Sequence, residues 1–588
     1  MNDPRPTTNN PRPTIHDNRS TVHGLPSTMP RSVVLAALAV LLASCTGVTP
    51  IPAASPDPQF DWFEYAGNDP VYEALDPRED QYLNPILAGF YPDPSITRAG
   101  DDYYLVTSTF SWYPGIPIFH SRDLVHWEQI GHVLDRSSQL NLDSLEISEG
   151  VFAPTINFHE GTFYVLNTLV GAGGNFIVTA KDPAGPWSDP IWLPSVDGID
   201  PSIFFDDDGR AWIVNNGPPV GPPRYDGHRA LWIQEFDLDT RQMVGPRTMI
   251  VDGGVDITQN PIWIEGPHIF RESGHYYLIA AEGGTAEWHS EVVFRADSVL
   301  GPWVPYEGNP ILTQRHLPAD RAFPVTSTGH ADFVKTPDGA WWAVFLGTRP
   351  YRDNHYNTGR ETFMLPVTWH NDWPTILPVT EPVAFMVDGP ALPRSPEPAI
   401  PTSGNFTVRD EFDGAELPLY WNFIRTPRES WHDLEAGRLV LRARPVRLSD
   451  RGQPSFVGRR QQHAYFTART KMRYRPADVS DRAGLAAFQN DDFYYFMAVG
   501  LGEGGPLISL EKRTRATGSE IVASQPVDLP EDGTIYLQIE GRGDTYAFRY
   551  SLDGSSWTPL VEDADGTILS TRTAGGFVGT YIGMHAEN

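Results

Sequence analysis

Three carboxylates stand at the head of apolar runs in this chain of 588 residues: Asp93 in Tyr-Pro-Asp-Pro-Ser-Ile, Asp200 in Ile-Asp-Pro-Ser-Ile-Phe and Glu265 in Glu-Gly-Pro-His-Ile-Phe. Gathered around one point, such acids suit the cleavage of an acetal between two sugars. One protonated carboxyl supplies the leaving oxygen, and an ionised carboxylate acts on the opposite side of the ring. Glu265 has the extra methylene needed to reach a glycosidic oxygen, and Trp263 and Pro267 give it an apolar setting that raises the pKa of an acid. Asp93, with a proline on each side, suits a general base for water. Asp200 is placed to hold Glu265 and, as a further negative charge, to keep it protonated. Taken singly, Asp-Pro at a strand start is a common turn, so this chemistry requires that the three acids meet in space.

The elements that would bring them together repeat along the chain. Ile264–Ala281 reads as a strand opening on a carboxylate, a Gly turn and an aromatic-rich second strand. The unit recurs with openers Asp93, Phe152, Asp200, Glu265 and His330, and eleven residues after each stand Tyr104, Phe163, Ala211, Tyr276 and Trp341. A period of about 48 to 65 residues made of short strands points to a propeller, and five copies to five blades. The first strand of each blade lines the central channel, so the openers are expected to converge there. His330 could equally be a satisfied interior histidine. No His/Cys/Asp cluster has metal-ligand spacing, so no catalytic metal is expected.

Length alone calls for two or three domains. A formal charge of −30 argues against a nucleic-acid partner, which needs a clustered basic face. The single cysteine, Cys45, follows Arg31, an apolar run from Val33 and the residues Leu-Ala-Ser. That pattern is an export signal, too short to span a membrane. It resembles a bacterial lipobox, whose Cys becomes an acylated first residue; the alternative is an ordinary secretory signal. Removing residues 1–44 takes away four Arg and two Asp, leaving 40 basic against 72 acidic residues, −32. Met29 is an alternative start, in which case 1–28 is not translated. Residues 45–82 read as the acylated Cys and a tether, 83–385 as the five-bladed propeller and 386–404 as a Pro-rich linker. Alternating strands over 405–588 read as a β-sandwich, so the fold class is all-β.

The segments Asn-Pro-Ile-Leu-Ala-Gly-Phe-Tyr-Pro-Asp-Pro-Ser-Ile (84–96), Thr-Ser-Thr-Phe-Ser-Trp-Tyr-Pro-Gly (107–115), Gly-His-Val-Leu-Asp-Arg (131–136), Ala-Glu-Gly-Gly-Thr (281–285), Gly-His-Ala-Asp (329–332) and Gly-Arg-Glu-Thr (359–362) carry a family resemblance. With them the chain resembles family 43 glycoside hydrolases, in the β-xylosidase and α-L-arabinofuranosidase branch with a C-terminal concanavalin-like sandwich. The resemblance implies an inverting exo-enzyme releasing terminal β-D-xylosyl or α-L-arabinofuranosyl units from xylan-derived oligosaccharides. Asp93 falls on the family's general base, Glu265 on its general acid and Asp200 on its pKa modulator. Phe110, Phe152, Thr285, His330 and Arg360 fall around the terminal sugar, and Phe577 of the sandwich closes the pocket. No cofactor is required, and the sequence leaves open a structural calcium in the channel. Phe152 stands where many such β-xylosidases carry Trp, a change toward arabinofuranosyl ends, and the chain stops at Asn588, where relatives usually run on through one more strand. The implied location is the bacterial cell envelope by lipid anchor, or secretion. Two alternatives are a catalytically silent glycan-binding surface protein and an endo-arabinanase. The oligomeric state is not legible.

Overall fold

The computed structural model describes residues 57–588; the expected export signal and Cys45 lie outside them. Five antiparallel sheets follow one another around a channel. Blade 1 is Ser95–Ala99, Asp102–Val106, Gly115–Ser121 and Glu128–Leu134; blade 2 is Thr155–His159, Thr162–Val170, Gly174–Ala180 and Ile191–Trp192. Blade 3 is Ile199–Phe205, Ala211–Gly217, Ala230–Asp237 and Gln242–Asp252; blade 4 is Glu265–Glu272, His275–Glu282, Ser290–Ala296 and Val304–Pro305. Blade 5 is Thr326–Lys335, Trp341–Thr348, Glu361–His370 and Trp373–Thr375. The recurring aromatics fill the wedges between blades. Tyr104 meets Phe163 edge-on at 4.9 Å, Tyr276 meets Phe204 at 6.0 Å, and Trp341 meets Phe270 at 5.0 Å.

Strand pairing corrects the expected register of the repeat. Ser95, Thr155, Ser202, His268 and Asp332 pair with Val106, Leu166, Val214, Ile279 and Val344 and are the equivalent residues of the five inner strands. Two positions earlier stand Asp93, Ala153, Asp200, Gly266 and His330. Phe152 and Glu265 therefore lie one residue before the equivalent place. The shared feature is backbone conformation: Asp93, Asp200 and His330 all have φ 54°, and Gly266 has φ 57°.

The equivalent residues form a belt of contacts across all five blade junctions. Ser95 Oγ donates to Asp332 Oδ2 at 2.7 Å, and Ile156 N donates to Ser95 Oγ at 3.0 Å. Thr155 Oγ1 donates to the Pro201 carbonyl at 2.9 Å, Ser202 Oγ to the Pro267 carbonyl at 2.6 Å, and His268 Nδ1 lies 3.3 Å from Asp332 Oδ1. Polar side chains buried at the channel thus satisfy one another instead of water. The ring is also clipped by its entry segment: Leu87 and Thr362 exchange backbone hydrogen bonds at 3.2 Å.

The second domain is a sandwich of an eight-stranded and a six-stranded sheet over a core that includes Phe60, Phe63, Leu485, Tyr495, Leu537 and Phe548. The expected tether is corrected here. Gln59–Gly67 is a strand of the larger sheet, paired with Tyr65 opposite Ala468 and Phe63 opposite Thr470. Phe63 and Tyr65 alternate onto the core, and a bulge between Phe60 and Trp62 brings Phe60 onto the same buried face. The propeller is thereby inserted between the first strand of the sandwich and the rest. Residues 386–404, expected as a Pro-rich linker, are held on blade 1 and on the entry segment before it: Ser395 N donates to Asp123 Oδ2 at 2.7 Å, and Ala88 N to the Thr402 carbonyl at 2.8 Å. Tyr581–Glu587 is an interior strand of the six-stranded sheet, between Ser455–Arg460 and Arg482–Asn490. A shared apolar cluster, with Trp112 stacked on Tyr581 at 3.5 Å, joins sandwich to propeller. Among the described residues no helix is long and apolar enough to cross a membrane.

Candidate active site

Left-handed backbone at the head of the inner strands turns Asp93 and Asp200 into the channel mouth. For a non-glycine residue that conformation is strained and is typical of functional sites. Glu265 reaches the same place from one residue earlier because the left-handed position is taken by Gly266. A Cβ on Gly266 would lie 2.8 Å from the His330 ring, so only glycine leaves room for it. The peptide after Glu265 is held by Asp200, whose Oδ2 accepts from Gly266 N at 3.2 Å, and the one before it by Asn216 Nδ2 on the Ile264 carbonyl at 2.5 Å.

Asp93 is 4% exposed and gripped on both oxygens. Arg360 donates through Nη1 to Oδ1 at 2.5 Å and through Nη2 to Oδ2 at 3.2 Å, and Ser108 Oγ donates to Oδ2 at 2.5 Å. Burial pushes the Asp93 carboxyl up, but the Arg360 guanidinium, His330 and these hydrogen bonds outweigh it, and the group ends below the usual range. His330 is itself pushed down to about 4 by burial and is neutral near pH 7, so Arg360 is the partner that keeps Asp93 ionised there.

Asp200 behaves in the opposite way. Burial first, then the charges of Glu265 and Asp93, drive it well above its ordinary value, and the Gly266 N–H recovers only part of this. Two carboxyls coupled in one dry place titrate as a unit and retain a proton. The site therefore holds one carboxylate made stable, Asp93, beside a carboxyl that resists ionisation, Asp200.

The remaining residues named from sequence gather on the same mouth. Phe110, itself left-handed (φ 51°), exchanges backbone bonds with Val151 and so carries Phe152 beside it, ring centroids 5.0 Å apart. Phe577, on a loop of the sandwich, stacks on Phe110 at 5.7 Å and meets Phe152 edge-on at 5.9 Å. Its backbone N–H donates to Ser148 Oγ at 3.0 Å, fixing the loop on the propeller. Arg360 lies 5.7 Å from the ring centres of both Phe110 and Phe577, and its Nη1 donates to Thr285 Oγ1 at 3.3 Å. An apolar aromatic wall facing polar donors is the general form of a sugar pocket.

Sequence reasoning passed over three residues. Ser108 lay inside a quoted motif, but nothing in a run of three hydroxyl residues tells which one touches Asp93. Ser148 sits in a loop with no repeat counterpart. His289 is buried against Ser327, its Nδ1–H donating to that carbonyl at 3.0 Å, and its pKa falls to about 3, first by burial; it also feels His330, Arg360 and Asp93. Among the described residues no group of three or more His, Cys, Asp or Glu is arranged to hold a metal ion.

Residues 82–374 match the glycosyl hydrolases family 43 profile, and residues 409–588 match the beta xylosidase C-terminal concanavalin A-like domain. A xylosidase/arabinosidase of Butyrivibrio fibrisolvens is 39% identical over 520 residues, covering 86% of this chain and 95% of that protein. A non-reducing end alpha-L-arabinofuranosidase of Bacteroides ovatus is 36% identical, covering 86% of this chain and 91% of that one. Among solved structures, a GH43_12 protein retrieved from a capybara gut metagenome superposes with a TM-score of 0.85 at 40% identity, covering 90% of this chain and all of the other.

Proposed function

Since the chain belongs to glycosyl hydrolase family 43 and is an exo-acting glycosidase, we propose that it releases terminal β-D-xylosyl or α-L-arabinofuranosyl units from xylan-derived oligosaccharides in a single inverting displacement. Asp93 takes a proton from water as the water oxygen bonds to the anomeric carbon. Glu265 gives a proton to the glycosidic oxygen as the bond from that carbon to the leaving sugar breaks. Asp200 holds the Glu265–Gly266 peptide in place and shares the proton retained beside it.

The observation that carries this reading is the split between two carboxyl environments. Arg360 and Ser108 keep Asp93 ionised, whereas burial and the charges of Glu265 and Asp93 hold the Asp200 carboxyl well above its ordinary value. A pocket walled by Phe110, Phe152 and the sandwich's Phe577 favours a chain end over a passing polymer. The Leu-Ala-Ser-Cys45 motif supports delivery of this activity to the cell envelope by a lipid anchor.

The test is to follow p-nitrophenyl β-D-xyloside and α-L-arabinofuranoside by proton NMR from the first seconds of reaction. At least one should be cleaved, with the first sugar formed carrying the anomeric configuration opposite to the substrate. A first product of retained configuration would reject the single displacement.

A further inference from the structure

We infer that Asp69, in the N-terminal segment that precedes the family match, is a positioning residue for the sugar pocket, acting on Arg360 through Arg349 and Glu361. The inference rests on the proposed roles of Arg360 and Asp93. Arg360 and Glu361 are neighbours at the head of one strand, so their side chains leave on opposite faces. Arg360 grips Asp93. Glu361 points the other way and takes a bidentate pair from Arg349, Nε to Oε2 at 2.7 Å and Nη2 to Oε1 at 2.9 Å.

The same Glu361 carboxylate accepts from Gly89 N at 2.7 Å, while Tyr91 N donates to the Arg360 carbonyl at 3.1 Å. One buried acid thus ties the segment leading to Asp93 to the strand that carries Arg360. Arg349 is oriented in turn from outside the propeller. Its Nη1 donates to Asp69 Oδ2 at 2.6 Å and its Nη2 to the Gln462 carbonyl at 3.0 Å, and Asp69 Oδ1 accepts from Tyr465 N at 2.8 Å. Asp69 is 3% exposed and Glu361 fully buried.

Two carboxylates and one guanidinium out of water are an expensive way to stabilise a fold, because desolvation offsets most of their attraction. What such a cluster supplies is direction: the bidentate fork fixes Glu361, and Glu361 fixes its neighbour. Asp69 closes the fork from the N-terminal segment, so this segment and the sandwich strand after Gln462 both bear on where Arg360 sits.

The full chain carrying Asp69→Asn tests this. Asparagine can keep the Tyr465 bond through Oδ1 while losing the charged bond to Arg349. Kinetics on whichever aryl glycoside the wild type cleaves should show KM raised about tenfold with kcat little changed, the scale expected when a displaced group misplaces substrate. The acid limb of kcat/KM should move to higher pH, because a loosened Arg360 no longer holds the Asp93 carboxyl down. The charged or titratable groups facing Asp93 are Arg360, His330, His289 and Asp200, and those facing Asp69 are Arg349, Glu361, His463, Tyr65 and Tyr72. Should Asp69→Asn fail to fold, Asp69→Glu keeps the charge one methylene out of place and should show the same pattern in smaller measure. A folded variant with KM and acid limb unchanged, or one that loses only maximal rate, overturns the inference. A wild type inactive on both glycosides would overturn the proposed function and this inference with it.

Discussion

Two tiers of the same inner strands, two residues apart, have been put to opposite uses. The lower tier, Ser95, Thr155, Ser202, His268 and Asp332, is polar at every position, and all five members bridge blades. The upper tier, Asp93, Ala153, Asp200, Gly266 and His330, makes no such belt. Three of its members and Gly266 share a left-handed backbone, and the side chains of Asp93, Asp200 and His330 gather at the channel mouth, where Asp200 reaches Gly266 N and Asp93 meets Arg360. A ring of equal units needs the same seal at every junction, but a substrate with distinct faces needs different groups around it. Repetition is therefore kept where the ring is held together and broken at the mouth where we propose that the sugar binds.

The largest effect that separates the tiers falls beside the upper one, at Glu265, which reaches the channel mouth from one residue before Gly266. Glu265→Ala should lower kcat by about a thousandfold or more, the upper part of the range for losing a general acid, while melting close to the wild type. Stopped assays on both aryl glycosides and a thermal melt of the same sample check the two halves. A variant as active as the wild type would end the assignment of Glu265. One that is inactive because it no longer folds would make this glutamate part of the seal.

The lower tier should fail in the converse way. Asp332 accepts from Ser95 Oγ, from Ile96 N at 2.9 Å and from Phe333 N at 2.8 Å, and it faces His268. Asp332→Ala leaves these donors buried without a partner, a loss of about 3 kcal/mol. Denaturant unfolding should show it, with KM for the aryl glycoside unchanged at temperatures where the variant stays folded. A large KM change with no loss of stability would dissolve the distinction between the tiers.

The two tiers were also unequally legible. The period, the all-β class and the three acids could be read because Pro and aromatic residues punctuate each unit, and Asp93, Asp200, Glu265, Phe110 and Arg360 sit in recognisable motifs. The register could not be read so well. Counting eleven residues back from the second-strand aromatics put Phe152 and Glu265 level with Asp93, although Gly266-Pro267 matches Asp93-Pro94 and Asp200-Pro201 residue for residue. The lower tier went unseen because Ser, Thr and His two places along a strand look like ordinary strand residues until their neighbours in the ring are known. Gln59–Gly67 was hidden for a related reason: its partner Tyr465–Arg473 lies some four hundred residues on, and no local pattern announces so distant a pairing.

Asp200 sharpens the comparison most finely, since it is an upper-tier residue whose charge works against the fold. Its folded pKa lies well above the ordinary carboxylate value, first through burial and then through Glu265 and Asp93. A raised folded pKa means that the native state binds the proton more tightly than the unfolded chain. Its contribution to stability is therefore complete below the unfolded value near 4 and is lost as pH rises toward the folded one. Asp200→Asn removes that loss and can keep the acceptor for Gly266 N. It should be more stable than the wild type at pH 8, by on the order of 1 kcal/mol, with the gain shrinking toward pH 4, while kcat falls because the shared proton beside Glu265 is no longer tuned. Melting curves across that range, set beside rates, decide it. A variant destabilised equally at both pH values would place Asp200 with the belt below it, as a residue that holds the ring and not one that the ring strains to hold.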